Sequence, residues 1–170
     1  MFETRLGDLV RTLAFMLKGK SAQVKKAVDS LFKVAHPDDI LEGRTSEGRL
    51  IKERAEAQRK EYSRLIAAAK KKVSDDSVLL FLYPSTKTSF TVELANELIH
   101  AYPEKLVIVG REKGDEVKMS LRSAKLNIPK LLEKALVNVK GYGGGHDHAC
   151  GGCVARDDFE VFVENIRGQL

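Results

Sequence analysis

The sequence predicts an α/β fold: a small mixed sheet with a parallel crossover unit and packed helices, preceded by an all-helical N-terminal extension. Three observations carry this. Before Ser74 the apolar side chains recur only at helical spacing. Beyond Ser74-Asp75-Asp76, apolar runs of strand length alternate with amphipathic segments, the order that builds crossover units. Glu116 to Ser123 alternates with period two, as a strand with one apolar face does.

The elements follow in order. Leu6, Leu9, Val10, Leu13, Met16 and Leu17 predict a helix over 3–18, ended by Gly19. Ser21 is expected to cap a second helix with the stripe Val24, Ala27, Val28, Leu31 and Phe32. His36-Pro37 stops it, because the residue before proline disfavours helix. His36 then reads as a cation beside a helix C-terminus. After Gly43 and Gly48, a charged helix over 46–72 carries the narrow stripe Leu50, Ile51, Ala55, Tyr62, Leu65, Ile66 and Ala69, the pattern of a solvated connector.

Val78 to Tyr83 reads as a strand buried on both faces. A helix over 90–101 and the strand Leu106 to Val109 complete a parallel crossover unit. Lys113-Gly114-Asp115 turns the chain into the antiparallel strand 116–123, with Val117, Met119 and Leu121 on its apolar face and Lys118, Ser120 and Arg122 on its polar one. Asn127 is placed to cap a helix over 128–139. Cys153-Val154-Ala155 is expected as a short final strand. Asp157-x-x-Glu160 is expected to start a helix carrying Phe159, Phe162, Val163 and Ile166.

Chemistry concentrates between Gly141 and Cys153, which holds two of the four histidines and both cysteines within a run of glycines. Three readings stand side by side. Successive glycines let backbone N–H groups approach an anion, and His146 adds a donor. His146, His148, Cys150 and Cys153 offer four zinc ligands, although they fall within eight residues and no second ligand pair ties in a distant segment. The third reading is a glycine-rich surface turn.

At 170 residues and 43% hydrophobic, the chain can bury a core. A net charge of +5 suits an anionic partner without specifying one. No apolar run reaches the length of a membrane span, and Arg5 and Asp8 interrupt the N-terminal apolar stretch, so no membrane association and a cytoplasmic protein are expected. In that setting the two cysteines read as reduced thiols or ligands.

Glu116-Val117-Lys118-Met119-Ser120-Leu121-Arg122-Ser123, then a helix, then Gly143-Gly144-Gly145-His146, resembles the DHH-associated domain, the C-terminal half of DHH-family phosphoesterases. That family includes RecJ-like single-strand exonucleases and oligoribonucleases. The resemblance covers about 77–170 and implies that Arg122 contacts substrate phosphate, with Ser120, Ser123, the glycines 143, 144 and 145, and His146 around it. The implied partners are single-stranded nucleic acid, a short oligonucleotide or a nucleotide phosphate. The family's metal ligands, including its Asp-His-His motif, lie in a separate N-terminal domain and do not occur here. Manganese or another divalent metal is therefore expected in that DHH domain, joined in cis or in trans, and no cofactor in this chain. Residues 1–45 resemble the end of that domain, 46–73 its linker helix and 74–170 the substrate-binding domain. By itself the chain is expected to bind and not to cleave. It departs from the family at Asp147, His148 and Cys150, where proline and small residues are common.

Overall fold

The computed structural model describes residues 4–85 and 88–170. The chain divides into two compact units, Met1–Arg64 and Leu65–Leu170. The first contains α1 (Arg5–Met16), α2 (Ser21–Leu31), α3 (Pro37–Leu41) and most of α4 (Ser46–Lys70). Met16, Ala27, Ile40 and Ile51 form its core, and Phe15 lies against Tyr62 with ring centroids 4.9 Å apart. Arg54 donates to the Met16 carbonyl at 2.6 Å and to that of Lys18, serving oxygens that the end of α1 leaves without helical partners.

Three local expectations are corrected here. Ser21 is the first helical residue of α2; the cap position is Lys20, whose side chain makes no capping bond. The helix also ends at Leu31, well before Pro37. His36 starts a helix instead of following one: its Nδ1 accepts from Asp38 N at 3.2 Å, while its own N–H donates to Asp39 Oδ2 at 3.1 Å. Proline costs nothing at the next position, where the N–H has no helical partner.

The second unit is a five-stranded sheet: β1 (Val78–Pro84), β2 (Leu106–Lys113), β3 (Glu116–Ser123), β4 (Gly141–His146) and β5 (Ala149–Ala155), in the order β1-β2-β3-β5-β4. β1 and β2 are parallel, and the other pairs are antiparallel. α5 (Thr91–Ala101) packs over β2 and β3 on one face. The other face is covered by α6 (Ile128–Ala135) and α7 (Phe159–Arg167), whose Leu132, Phe162 and Ile166 meet Ile108, Val117, Leu121 and Val154. β1 is an edge strand, so Leu80 and Leu82 stay only partly buried where the apolar run suggested burial on both faces.

Asn127 caps α6 by accepting from Lys130 N at 3.1 Å. The helix stops short of residue 139 because the chain turns through Asn138 at φ 59°. α7 starts after a tight turn at 156–158. The Asp158 carboxylate accepts from Lys140 N at 2.8 Å and makes no capping bond to α7. No helix among the described residues is long and apolar enough to cross a membrane.

The glycine run departs furthest from expectation. It is an edge strand, β4, paired with β5 through a turn at Asp147-His148, and not a loop wrapped around an anion. Of its glycines only Gly145 has positive φ, at 151°. Close approach explains Gly141 as well: a Cβ there would lie 2.6 Å from the Cys153 carbonyl oxygen.

Candidate functional site

Residues directly opposite one another on neighbouring strands share a face. Three rows therefore cross β3, β5 and β4 on the side where α5 packs: Lys118, Cys153, Tyr142; then Ser120, Gly151, Gly144; then Arg122, Ala149, His146. Adjacent strands lie about 4.8 Å apart, so the Cα atoms of Arg122 and His146 are roughly 10 Å apart with Ala149 between them. The middle row has no side chain at its two glycines. A Cβ on Gly144 would meet nothing within 4 Å, whereas one on Gly143, pointing the other way, would come 3.2 Å from Leu132 of α6. The tract thus forms a bare floor on one face and a packed layer on the other.

Arg122 stands at the edge of this floor. Its Nε donates to Oδ1 of Asn96 on α5 at 2.8 Å, and its Nη1 donates to the carbonyls of Leu121 at 2.8 Å and Cys150 at 3.3 Å. All three acceptors are neutral. Among the described residues no carboxylate lies within ion-pair distance of Arg122, and its Nη2 is unengaged. Burial pushes its pKa down, yet a guanidinium remains charged. A half-buried cation, oriented by neutral groups and unmatched by an anion, is set up to receive one.

The hairpin end that carries His146 is fixed from α6. Asn127 caps the helix with Oδ1 and donates from Nδ2 to Asp147 Oδ1 at 2.9 Å, while Ile128 N donates to the Asp147 carbonyl at 2.8 Å. Ser123 N donates to the His148 carbonyl at 3.3 Å, and Cys150 Sγ contacts the His146 carbonyl at 3.4 Å. Asp147 and the His148 backbone thus hold the turn that positions His146.

The remaining expected site residues divide. Arg122, Gly144 and His146 share one face, and Gly143 faces α6. Ser120 shares the face of Arg122 but is buried at 3% exposure. Ser123 is buried too, and its Oγ accepts from the backbone N–H groups of Lys125 and Leu126, closing the turn after β3. Gly145 spends its positive φ beside the hairpin turn. Asn96 is a site residue that the sequence reading lacks. It lies in an α5 stripe of Glu93, Asn96 and His100, whose polar spacing is visible in the sequence beside the apolar residues of the same helix.

The zinc reading does not survive the strand. Cys150 and Cys153 are three apart on β5 and point to opposite faces, Cys150 into the core and Cys153 toward Lys118 and Tyr142. Among the described residues no three His, Cys, Asp or Glu side chains are grouped to hold a metal ion. Burial is the largest influence on both thiols and pushes both pKa values up, opposite to the shift of a ligand thiolate.

Comparison with known proteins agrees with this architecture. The chain is similar to RecJ from Thermus thermophilus in complex with Mn2+, with a TM-score of 0.64 and 15% identity, over 96% of this chain and 23% of that one. It is similar to a second structure, exonuclease RecJ bound to manganese, with a TM-score of 0.58 and 17% identity, over 97% of this chain and 44% of that one. At these identities the likeness shows the fold, and the chain spans less than half the length of either protein. No curated protein matches the sequence. The family model of the DHHA1 domain matches residues 75–170, the whole of the sheet with α5, α6 and α7. With that match over more than half of its length, the chain belongs to the DHHA1 domain family.

Proposed function

We propose that this chain is the substrate-binding half of a DHH-family phosphoesterase of the RecJ-like exonuclease or oligoribonuclease type. In this reading it grips a phosphate of single-stranded nucleic acid, a short oligonucleotide or a nucleotide between Arg122 and His146. The observation that carries it is the Arg122 guanidinium, held by three neutral acceptors beside a bare glycine floor and unmatched by a carboxylate. Ser120 lies buried on the Arg122 face, and Ser123 closes the turn that follows β3. In this reading hydrolysis belongs to a DHH half that carries manganese or another divalent ion, acting in cis or in trans. The likeness to manganese-bound RecJ over nearly the whole chain supports that partner. The protein would work in the cytoplasm, where such substrates and reduced thiols belong.

The test is binding of labelled oligothymidylates, followed by fluorescence anisotropy over a salt series. Arg122→Ala should weaken binding by about 1.5–3 kcal/mol and reduce the salt slope by about one phosphate contact. An Arg122→Ala protein that binds like the unmodified chain at every salt concentration would remove the proposal.

A further inference from the structure

We infer that Lys118 and Tyr142 form a second anchor on the same face, so that the site takes two or more linked nucleotides of a single strand instead of one isolated phosphate. This rests on the Arg122 reading and extends it. Lys118 and Tyr142 flank Cys153 in one row, as Arg122 and His146 flank Ala149 in another. Four residues of strand separate the rows, roughly 13 Å. A single phosphate cannot bridge them, whereas a short chain of nucleotides can.

Between the rows the floor is open on β5 and β4 and covered on β3. Gly151 and Gly144 are exposed and carry no side chains, and Ser120 is buried. Tyr142 is 68% exposed, although a tyrosine on a strand ordinarily packs part of its ring. The Lys118 side chain is 48% exposed, and its ion pair to Glu116 at 3.6 Å is solvent-accessible and readily exchanged for another anion. Cation, aromatic ring and a floor without side chains make the combination that holds single strands: charge for the backbone and a ring for a base. The arrangement therefore favours a strand with one phosphate at Arg122 and His146, a neighbouring phosphate at Lys118 and a base stacked on Tyr142.

The experiment measures the affinity of the full chain for thymidine 5′-monophosphate and for the 5′-phosphorylated dinucleotide and trinucleotide. Affinity should rise with length. Tyr142→Ala should remove about 5- to 150-fold of the trinucleotide affinity, the effect of losing one base–aromatic stack, and Tyr142→Phe should retain it. Lys118→Ala should also lower trinucleotide affinity, and both alanine variants should bind the mononucleotide like the unmodified chain. Arg122→Ala should weaken binding at every length. A gain with length that survives both Tyr142→Ala and Lys118→Ala, or equal affinity for all three ligands, overturns the second anchor while the Arg122 reading stands. Failure of the unmodified chain to bind any of the three overturns both.

Discussion

Arg122 and Asn96 are joined by one hydrogen bond, Nε to Oδ1 at 2.8 Å, which ties the polar face of β3 to α5. The bond fixes a long side chain that would otherwise lose rotamer freedom on gripping a ligand. Asn96→Ala should therefore weaken oligonucleotide binding by about 1 kcal/mol, the worth of one such bond, and less than Arg122→Ala does. Asn96 is exposed, so the unfolding midpoint should barely move. Titration calorimetry beside a urea melt checks both, and equal losses from the two variants would show that Asn96 acts by some other route.

The glycines of β4 should separate stability from binding. An alanine at Gly145 would place its Cβ 2.4 Å from the Ala149 carbonyl oxygen, at φ 151°, against backbone that cannot yield. Gly145→Ala should cost about 1–3 kcal/mol of stability. Gly144→Ala meets nothing within 4 Å and should leave stability within about 0.5 kcal/mol, while its methyl group stands on the floor and weakens ligand binding. Urea denaturation and anisotropy on the two variants decide the matter. A large stability loss at Gly144 would mean that the floor is packed.

Removing metal should change nothing in this chain. Cys150 and Cys153 face opposite sides of β5 and both are buried, so incubation with a chelator should leave the thermal midpoint where it was. Thiol labelling should be slow in the folded protein and reach two groups per chain in denaturant, since burial holds both thiols in their neutral form. Unfolding on chelation would return the zinc reading to contention.

Stability should fall in acid partly through Asp76. Its Oδ1 accepts from Val78 N at 3.0 Å and its Oδ2 from Arg167 at 2.9 Å, and the backbone bond is the main reason its pKa is lowered. A depressed carboxyl pKa stabilises the fold above the unfolded value, about 3.9, and that contribution is lost as pH falls through the lower folded value. Asp76→Asn should cost about 1 kcal/mol at neutral pH, a modest figure for a partly exposed group. The difference from the unmodified chain should shrink in acid. A difference that stays constant from about pH 7 down to about pH 2.5 in denaturant melts would exclude the linkage.

Legibility followed the side chains. The period-two alternation of β3 assigned Val117, Met119 and Leu121 to the core and Arg122 to the opposite face, and the structure agrees. The glycines of β4 have no side chains to alternate, so their strand is specified by pairing with β5 and not by any local pattern. His36 is ambiguous in the sequence because proline marks both the end of one helix and the first turn of another; Asp39, three residues on, is the distinguishing signal. Burial of Ser120 and the role of Asn96 depend on where α5 crosses the sheet, a tertiary fact that no spacing within β3 contains.

The last prediction uses the row that joins Arg122 to His146. Both residues oppose Ala149, so they share a face, and two inter-strand steps of about 4.8 Å leave a gap that a phosphate can fill between the two side chains. A phosphate held by both couples them, because removing one side chain lets the ligand shift and weakens the contact to the other. Arg122→Ala and His146→Ala should each reduce affinity for a 5′-phosphorylated trinucleotide, and the double variant should lose less than the sum, by about 0.5–3 kcal/mol. The same cycle with Tyr142→Ala in place of His146→Ala should be closer to additive, because that row lies roughly 13 Å away and meets a different part of the ligand. Strict additivity between Arg122 and His146 would place them on separate phosphates, and an unchanged affinity in His146→Ala would leave Arg122 to bind alone.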